Sequence, residues 1–232
     1  MKRIQFLFAA VAVVLLSGCS FTPQKPVPLD SQFYQIKNEK VGIYLDALPK
    51  ANTHFPGANC LLCLAAAEVA NSDLSDHVQS LPNTDLNDSV TIVEGILKAK
   101  GLDVIRVENK IDIKKLESFS SESETIPYAR KDYRSLKDSL GVDKLVIIDI
   151  NQLGVQRSYN AYVPTSDPLG YAHGAISVID LSDNRYNLYE SFNIKTAVKG
   201  DWDEPNQFPG VTTAYFQSIE VLKEQIKTLF SI

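Results

Sequence analysis

Two cysteines three residues apart, in Asn59-Cys60-Leu61-Leu62-Cys63, are the most conspicuous chemistry-bearing pair in the chain. They open an alanine-rich stretch that reads as a helix, and a thiol at a helix N-terminus feels the positive end of the dipole, which favours thiolate. A strand over Lys40 to Leu48 precedes them, as in thioredoxin-like enzymes. Other features argue against redox work. The loop from Pro49 to Asn59 is long for such a motif, the residues between the cysteines are two leucines, and the following helix is apolar enough to be buried. No proline loop downstream offers a seat for a substrate thiol. The first expectation is a structural disulfide that pins the loop onto the helix start. A redox pair and two buried reduced thiols stand as alternatives.

Other reactive side chains form no constellation. His54, Cys60, Cys63 and His77 could supply four ligands, but their spacing fits no common zinc pattern and a disulfide would compete, so no metal is expected. His173 stands alone in a strand. The chain has no Gly-x-Ser-x-Gly elbow and no histidine placed for a triad. Asp46, Asp149 and Asp180 sit in or at the ends of predicted strands, where carboxylates can do acid–base work but also serve as turn and cap residues. Gly170 and Gly174 are isolated, so no phosphate loop is present. No catalytic residue is assigned, and the chain is expected to be neither an enzyme nor a cofactor binder. Two aromatic segments remain. One carries Tyr159, Tyr162 and Tyr171; the other carries Trp202 and Phe208. Such rings on loops either recognise a partner, because they bury much area at little entropy cost, or cover the edge of a core.

The third cysteine has a different context. Lys2 and Arg3 put positive charge beside the amino terminus, and Ile4 to Leu16 is uncharged, with Gln5 its one strongly polar residue. That run is short against the about 20 apolar residues a membrane-spanning helix needs and has the form of a secretory signal. It ends in Leu16-Ser17-Gly18-Cys19, which matches the bacterial lipobox: an aliphatic residue and two small ones before the thiol that accepts lipid. The leader thus resembles that of bacterial lipoprotein precursors. The resemblance implies cleavage between Gly18 and Cys19, a diacylglycerol and an N-acyl chain on Cys19, and stable membrane anchoring by several chains. Ser20 rather than Asp after the cysteine resembles the pattern of lipoproteins sorted to the outer membrane. The expected location is its inner leaflet, facing the periplasm.

Composition sets bounds on the rest. Of 232 residues 44% are hydrophobic and 22% charged, values of a globular protein. The formal charge of -5 leaves no basic stripe to displace counterions, so no nucleic acid is expected. Residues 1–18 read as the signal peptide, 19–38 as the lipidated end and a proline-rich tether, and 39–232 as one domain. Ser118 to Thr125 reads as an exposed polar loop.

The elements that must position these residues follow from periodicity. After the first strand comes a helix over Leu61 to Asn71. Asp85 can cap a second helix, in which Val90, Val93, Ile96 and Leu97 keep helical spacing until Gly101. A strand over Leu102 to Val107, a short helix around Ile113 to Phe119, a helix from Asp132 to Leu140 and a strand from Lys144 to Ile150 follow. Leu153 to Tyr162, Ala172 to Leu181 and Tyr186 to Val198 read as an antiparallel meander. A terminal helix from Val211 to Phe230 carries the seam Tyr215, Ile219, Leu222, Ile226 and Leu229. The fold class is α/β: a mixed sheet with helices packed on it, an antiparallel meander in the C-terminal half and a terminal amphipathic helix.

Leu140-Gly141-Val142-Asp143 with the strand Lys144 to Ile148, and Ile176 to Leu181 with its turn, resemble signals found in several periplasmic modules. These are the curli-secretion lipoprotein family, the TolB amino-terminal domain and the lipoprotein activators of penicillin-binding proteins. The resemblance implies a fold like that of anticodon-binding domains and a role in binding envelope proteins. The first expectation is a lipid-anchored, non-enzymatic interaction module. The alternatives are a subunit of an oligomeric secretion or surface-assembly complex, and a thiol–disulfide protein using Cys60 and Cys63.

Overall fold

The computed structural model describes residues 23–231 apart from 36, 37, 122, 124, 205 and 206. The leader, Gly18 and Cys19 lie outside the described residues. Within them the chain forms a six-stranded mixed sheet with its longer helices packed on one face and one short helix on the other. In chain order the elements are β1 (Lys40–Leu45), β2 (Asn52–His54), α1 (Leu61–Ala70), α2 (Ser72–Ser80), α3 (Asp88–Ala99), β3 (Asp103–Arg106), α4 (Leu136–Leu140), β4 (Lys144–Gln156), β5 (Tyr159–Asn160), β6 (Val163–Pro164), β7 (Leu169–Asp180), β8 (Tyr186–Ala197) and α5 (Pro209–Phe230).

The sheet order is β3-β1-β4-β7-β8, with β2 also paired to β4. β1 lies parallel to β3 and to the first half of β4, while β2 lies parallel to the second half of β4. β4, β7 and β8 form the antiparallel meander. Sequence periodicity divided β4 into two strands. It is one strand with a register irregularity between Ile150 and Gln152, which is where the apolar alternation breaks.

The main core lies between the sheet and α2, α3 and α5. Val41, Ile43, Val146, Ile148, Ile176, Val178, Leu188 and Phe192 share this core with α3 and with the seam of α5, in which Tyr215, Ile219, Leu222 and Ile226 are fully buried. On the opposite face Tyr44, Leu145, Ile147 and Ile179 are covered by Ile111, Ala129, Tyr133 and Val142. A register shift between Val178 and Ile179 turns Tyr186 toward this second cluster, while Leu188 two residues on lies in the main core.

Several expectations are corrected. Asp85 belongs to a 3-10 turn (Thr84–Asn87) and does not cap α3, which starts at Asp88. The helix expected around Ile113 to Phe119 is a single 3-10 turn, Ile113–Lys115. Part of the stretch read as a tether is docked on the domain: Val27 bridges to Tyr189, Phe33 is buried in the main core, and the Tyr34 hydroxyl donates to the Phe230 carbonyl at 2.6 Å. One apolar ring every few residues is too sparse for a periodicity signal, yet it is enough to hold the segment down.

Candidate interaction site

The cysteine pair sits where the second half of β4 leaves the sheet. The chain from β2 to Asn59 folds back through Gly57, whose φ of +90° is open to glycine, and a Cβ there would stand 1.8 Å from the Tyr159 carbonyl oxygen. Tyr159 N–H donates to the Pro56 carbonyl, and Ala161 N–H to that of Gly57. The Tyr159 ring is buried against Ala58, Cys63 and Ala67, edge-on to Phe55. Its hydroxyl accepts from Asn71 Nδ2 at 2.7 Å. Loop, α1 and the short β5–β6 hairpin are therefore one rigid tip beyond the end of β4.

Cys60 and Cys63 are joined in a disulfide, Cα atoms 4.9 Å apart. Cys60 is the N-cap of α1: its Sγ accepts the Cys63 N–H at 2.9 Å, taking one donor that the first turn leaves unpaired. Cys60 is exposed and Cys63 buried.

The expectation that α1 is a buried helix is overturned. Within α1 only Cys63 and Ala67 are buried. Leu61 is 85% exposed, Leu62 70% and Val69 78%, and the neighbouring hairpin adds Tyr162 at 56% and Val163 at 63%. Composition cannot separate a helix surrounded by protein from one with a single face on it; both are apolar throughout.

The other aromatic segment is a stack. Trp202 lies parallel to Phe208, ring centroids 6.4 Å apart, and Phe208 meets His77 at 5.5 Å. On the other side of Trp202 the Arg157 guanidinium stands 4.4 Å from the ring centroid. Trp202 and Phe208 are half-buried against the main core. Tyr171 is buried, its hydroxyl donating to Gln152 Oε1 at 3.0 Å. Of the five aromatics picked from sequence, Tyr159 and Tyr171 face inward, Trp202 and Phe208 cover the core edge, and Tyr162 alone presents an open ring.

Histidines and strand-end carboxylates are dispersed. His54 Nε2 faces the Leu153 carbonyl at 3.3 Å, and burial pushes its pKa down. His77 Nε2 meets Thr212 Oγ1 at 2.7 Å, and burial lowers its pKa too. His173 Nδ1 meets Asn151 Oδ1 at 2.8 Å. Burial, reinforced by the charge of Asp46, pushes the Asp149 carboxyl up. Asp180 is different. Burial alone would raise it, but the Lys144 ammonium at 2.5 Å and two bonds from Ser182 outweigh that and hold it below the usual range. Among the described residues no three His, Cys, Asp or Glu side chains are grouped to hold a metal ion.

The meander ends in an open edge. Tyr189 exchanges both backbone bonds with Val27. Continuing the two-residue alternation from Tyr189, the outward backbone groups are those of Ser191, Asn193, Lys195 and Ala197, and among the described residues no strand pairs with them. Beside this edge an apolar groove runs between β8 and α5, floored by Phe192, Val221 and Leu229.

No protein-family model matches the chain, and no curated protein matches it in sequence. Three solved structures show loose likeness. A DUF330-family protein of Xanthomonas campestris is 12% identical, over 88% of this chain and 90% of that one, with a TM-score of 0.39. A PelC dodecamer from Paraburkholderia phytofirmans is 8% identical over 86% and 95%, with a TM-score of 0.33. Lipoprotein GNA1162 from Neisseria meningitidis is 14% identical over 82% and 99%, with a TM-score of 0.29. At TM-scores below 0.5 these likenesses carry no argument about the function of this chain.

Proposed function

We propose that this chain is a lipid-anchored, non-enzymatic binding module of the bacterial cell envelope. It is held by lipid on Cys19 in the inner leaflet of the outer membrane and pairs with an extended segment of another envelope protein. The carrying observation is the outer edge of β8, where the outward backbone groups of Ser191, Asn193, Lys195 and Ala197 meet no strand among the described residues, beside an apolar groove. A long open edge is a template for strand addition. Backbone bonds supply affinity and a neighbouring groove receives alternate side chains.

A photo-crosslinking residue in place of Lys195 tests this in intact cells. The expected outcome is an adduct of defined mass that disappears when Asn193→Pro removes an outward N–H. Proline at an edge position leaves the other ladder bonds in place, so the melting temperature should hold. Adducts only from position 162, with none from 195, would move the interface to the tip and overturn the edge reading.

A second reading is favoured by the exposed Cys60 at the helix N-cap with Cys63 buried behind it, the arrangement of an attacking and a resolving thiol. In that reading Cys63→Ser traps a mixed disulfide between Cys60 and a partner. Absence of any trapped species in cells removes it.

A further inference from the structure

The open edge of β8 is bounded by the chain's own N-terminal segment. Tyr189 gives both outward backbone bonds to Val27 in an antiparallel pair. Before Val27 the chain leaves the edge for the loop from Phe119 to Arg130, against which Pro23 to Pro28 lie. Val27 therefore closes one end of the edge and leaves it clear from Ser191 onward. Because Val27 turns its N–H and C=O to Tyr189, its neighbours Pro26 and Pro28 turn theirs outward. Neither proline has an N–H to give, so the outer side of this segment offers no donor and a further strand pairs with β8 itself.

We infer the chemistry of the segment that pairs there. It is an amphipathic strand, antiparallel to β8 as Val27 is, with apolar side chains opposite Phe192 and Ile194, a carboxylate opposite Lys195 and a cation at the Glu190 end. This deepens the strand-addition reading and rests on it. Residues paired across two strands put their side chains on the same face. Ser191, Asn193, Lys195 and Ala197 are exposed on the face away from α5, while Phe192 and Ile194 are buried on the face that carries it. An added strand must alternate in the same phase, polar opposite the first set and apolar opposite the second. A slip of one residue would put every side chain on the wrong face.

The groove sets the size of the apolar anchor. It holds about 430 Å³ between Phe192, Val221 and Leu229, with Gln225 and Thr228 on its rim, which suits a leucine or larger side chain rather than alanine. Two charges set the polarity. Lys195 is exposed on one face of the strand, and Glu190 is half-buried on the other, at the end of the groove nearer Val27. Among the described residues neither has an ion-pair partner. A half-buried carboxylate without a cation has lost part of its water and gained nothing for it, so it favours a lysine or arginine brought by the partner. A segment laid the other way round would carry its cation toward Lys195 and its carboxylate toward Glu190, and that repulsion selects one direction.

Two synthetic peptides of identical composition test this on full-length protein made in a bacterial host and reconstituted in neutral phosphatidylcholine vesicles. The first, Ser-Val-Glu-Val-Thr-Leu-Thr-Lys, sets its leucine opposite Phe192, its glutamate opposite Lys195 and its lysine at Glu190. The second, Ser-Glu-Val-Val-Leu-Thr-Thr-Lys, breaks the alternation. Each carries a fluorophore, and binding is read by anisotropy. The first is expected to bind roughly tenfold more tightly than the second, and to lose a similar factor when its leucine becomes alanine. Lys195→Glu, at an exposed position, should weaken the first peptide several-fold, and lysine in place of the peptide's glutamate should restore it. Equal affinity for the two peptides, or an exchange of charges that restores nothing, overturns the stated chemistry. Binding unchanged by Asn193→Pro places the peptide elsewhere and overturns it too. If neither peptide binds while the cellular adduct from position 195 forms, the chemistry falls and the edge reading stands. If no cellular adduct forms, the edge reading falls and takes this inference with it.

Discussion

The Arg157 guanidinium lies 4.4 Å from the centroid of Trp202 and donates through Nη1 to Asn71 Oδ1 at 2.6 Å. One arginine thus ties the aromatic cover of the core edge to the junction of α1 and α2. Asn71 is the hub of this arrangement. Its Nδ2 donates to the Ala67 carbonyl and to the Tyr159 hydroxyl, both at 2.7 Å, and the side chain is buried. Asn71→Ala takes the amide donor from the buried Tyr159 hydroxyl and the Oδ1 acceptor from the partly buried Arg157. The expected cost is about 2–3 kcal/mol, read as a lower urea midpoint with an unchanged slope. Arg157→Lys keeps the charge but loses the planar stack and should fall between the parent and Asn71→Ala.

Gly154 marks the closest approach of β2 to β4. Its φ is +133°, and a Cβ would stand 2.0 Å from the Asn52 carbonyl oxygen. Gly154→Ala must push β2 away or distort β4, and backbone cannot yield as a side chain can. The expected loss is about 3 kcal/mol or more, with tryptic cleavage appearing first at Lys50 as β2 detaches.

Much of this was legible in the sequence. The seam of α5, the α3 stripe and the meander all carry a period that survives because one face of each element is buried along its whole length. Elements that hold together by particular contacts left no such trace. β2 is three residues long and α2 has only Leu74 and Val78 buried. The docking of Phe33 likewise depends on one ring. The cysteine pair and its helix were visible, but their exposure was not, because hydrophobicity records the medium a side chain prefers and not whether the folded chain provides it. Tyr159 and Tyr162 show the same limit: three residues apart, in one hairpin, the first is a buried brace and the second an open ring.

Two aspartates should give stability opposite dependence on pH. The folded pKa of Asp149 is raised by burial and by the charge of Asp46, so the charged form burdens the fold. Its contribution is fully present below the unfolded value of about 4 and is lost as pH rises through the folded pKa. Asp149→Asn should therefore melt higher than the parent at neutral pH, with the advantage vanishing in acid.

Asp180 runs the other way. Its pKa is lowered in spite of burial, because the Lys144 ammonium and Ser182 bind the carboxylate, and both partners of the ion pair are largely buried. That stability is present above the unfolded value and is lost as pH falls through the folded one. Asp180→Asn leaves Lys144 a poorer partner, with Glu39 at 3.2 Å its remaining carboxylate. A loss of about 3 kcal/mol is expected at neutral pH, narrowing as the parent is acidified. Thermal melts from pH 3 to pH 8 on both variants separate the two signs.

The disulfide closes a loop with a sequence separation of only three residues, so it removes little freedom from the unfolded chain. By the chain-entropy relation a loop this short is worth about 2 kcal/mol. Its effect should also be local. Cys63 and Ala67 are the only residues of α1 that pack inward, so opening the bridge releases the first turn without touching the main core. Cys60→Ser combined with Cys63→Ser is therefore expected to speed hydrogen exchange over residues 57–70 while the amides of β4 and β7 keep their protection. The parent in reductant should follow the same pattern. A collapse of protection across the sheet would mean that the tip supports the whole domain, a larger role than its two buried residues give it.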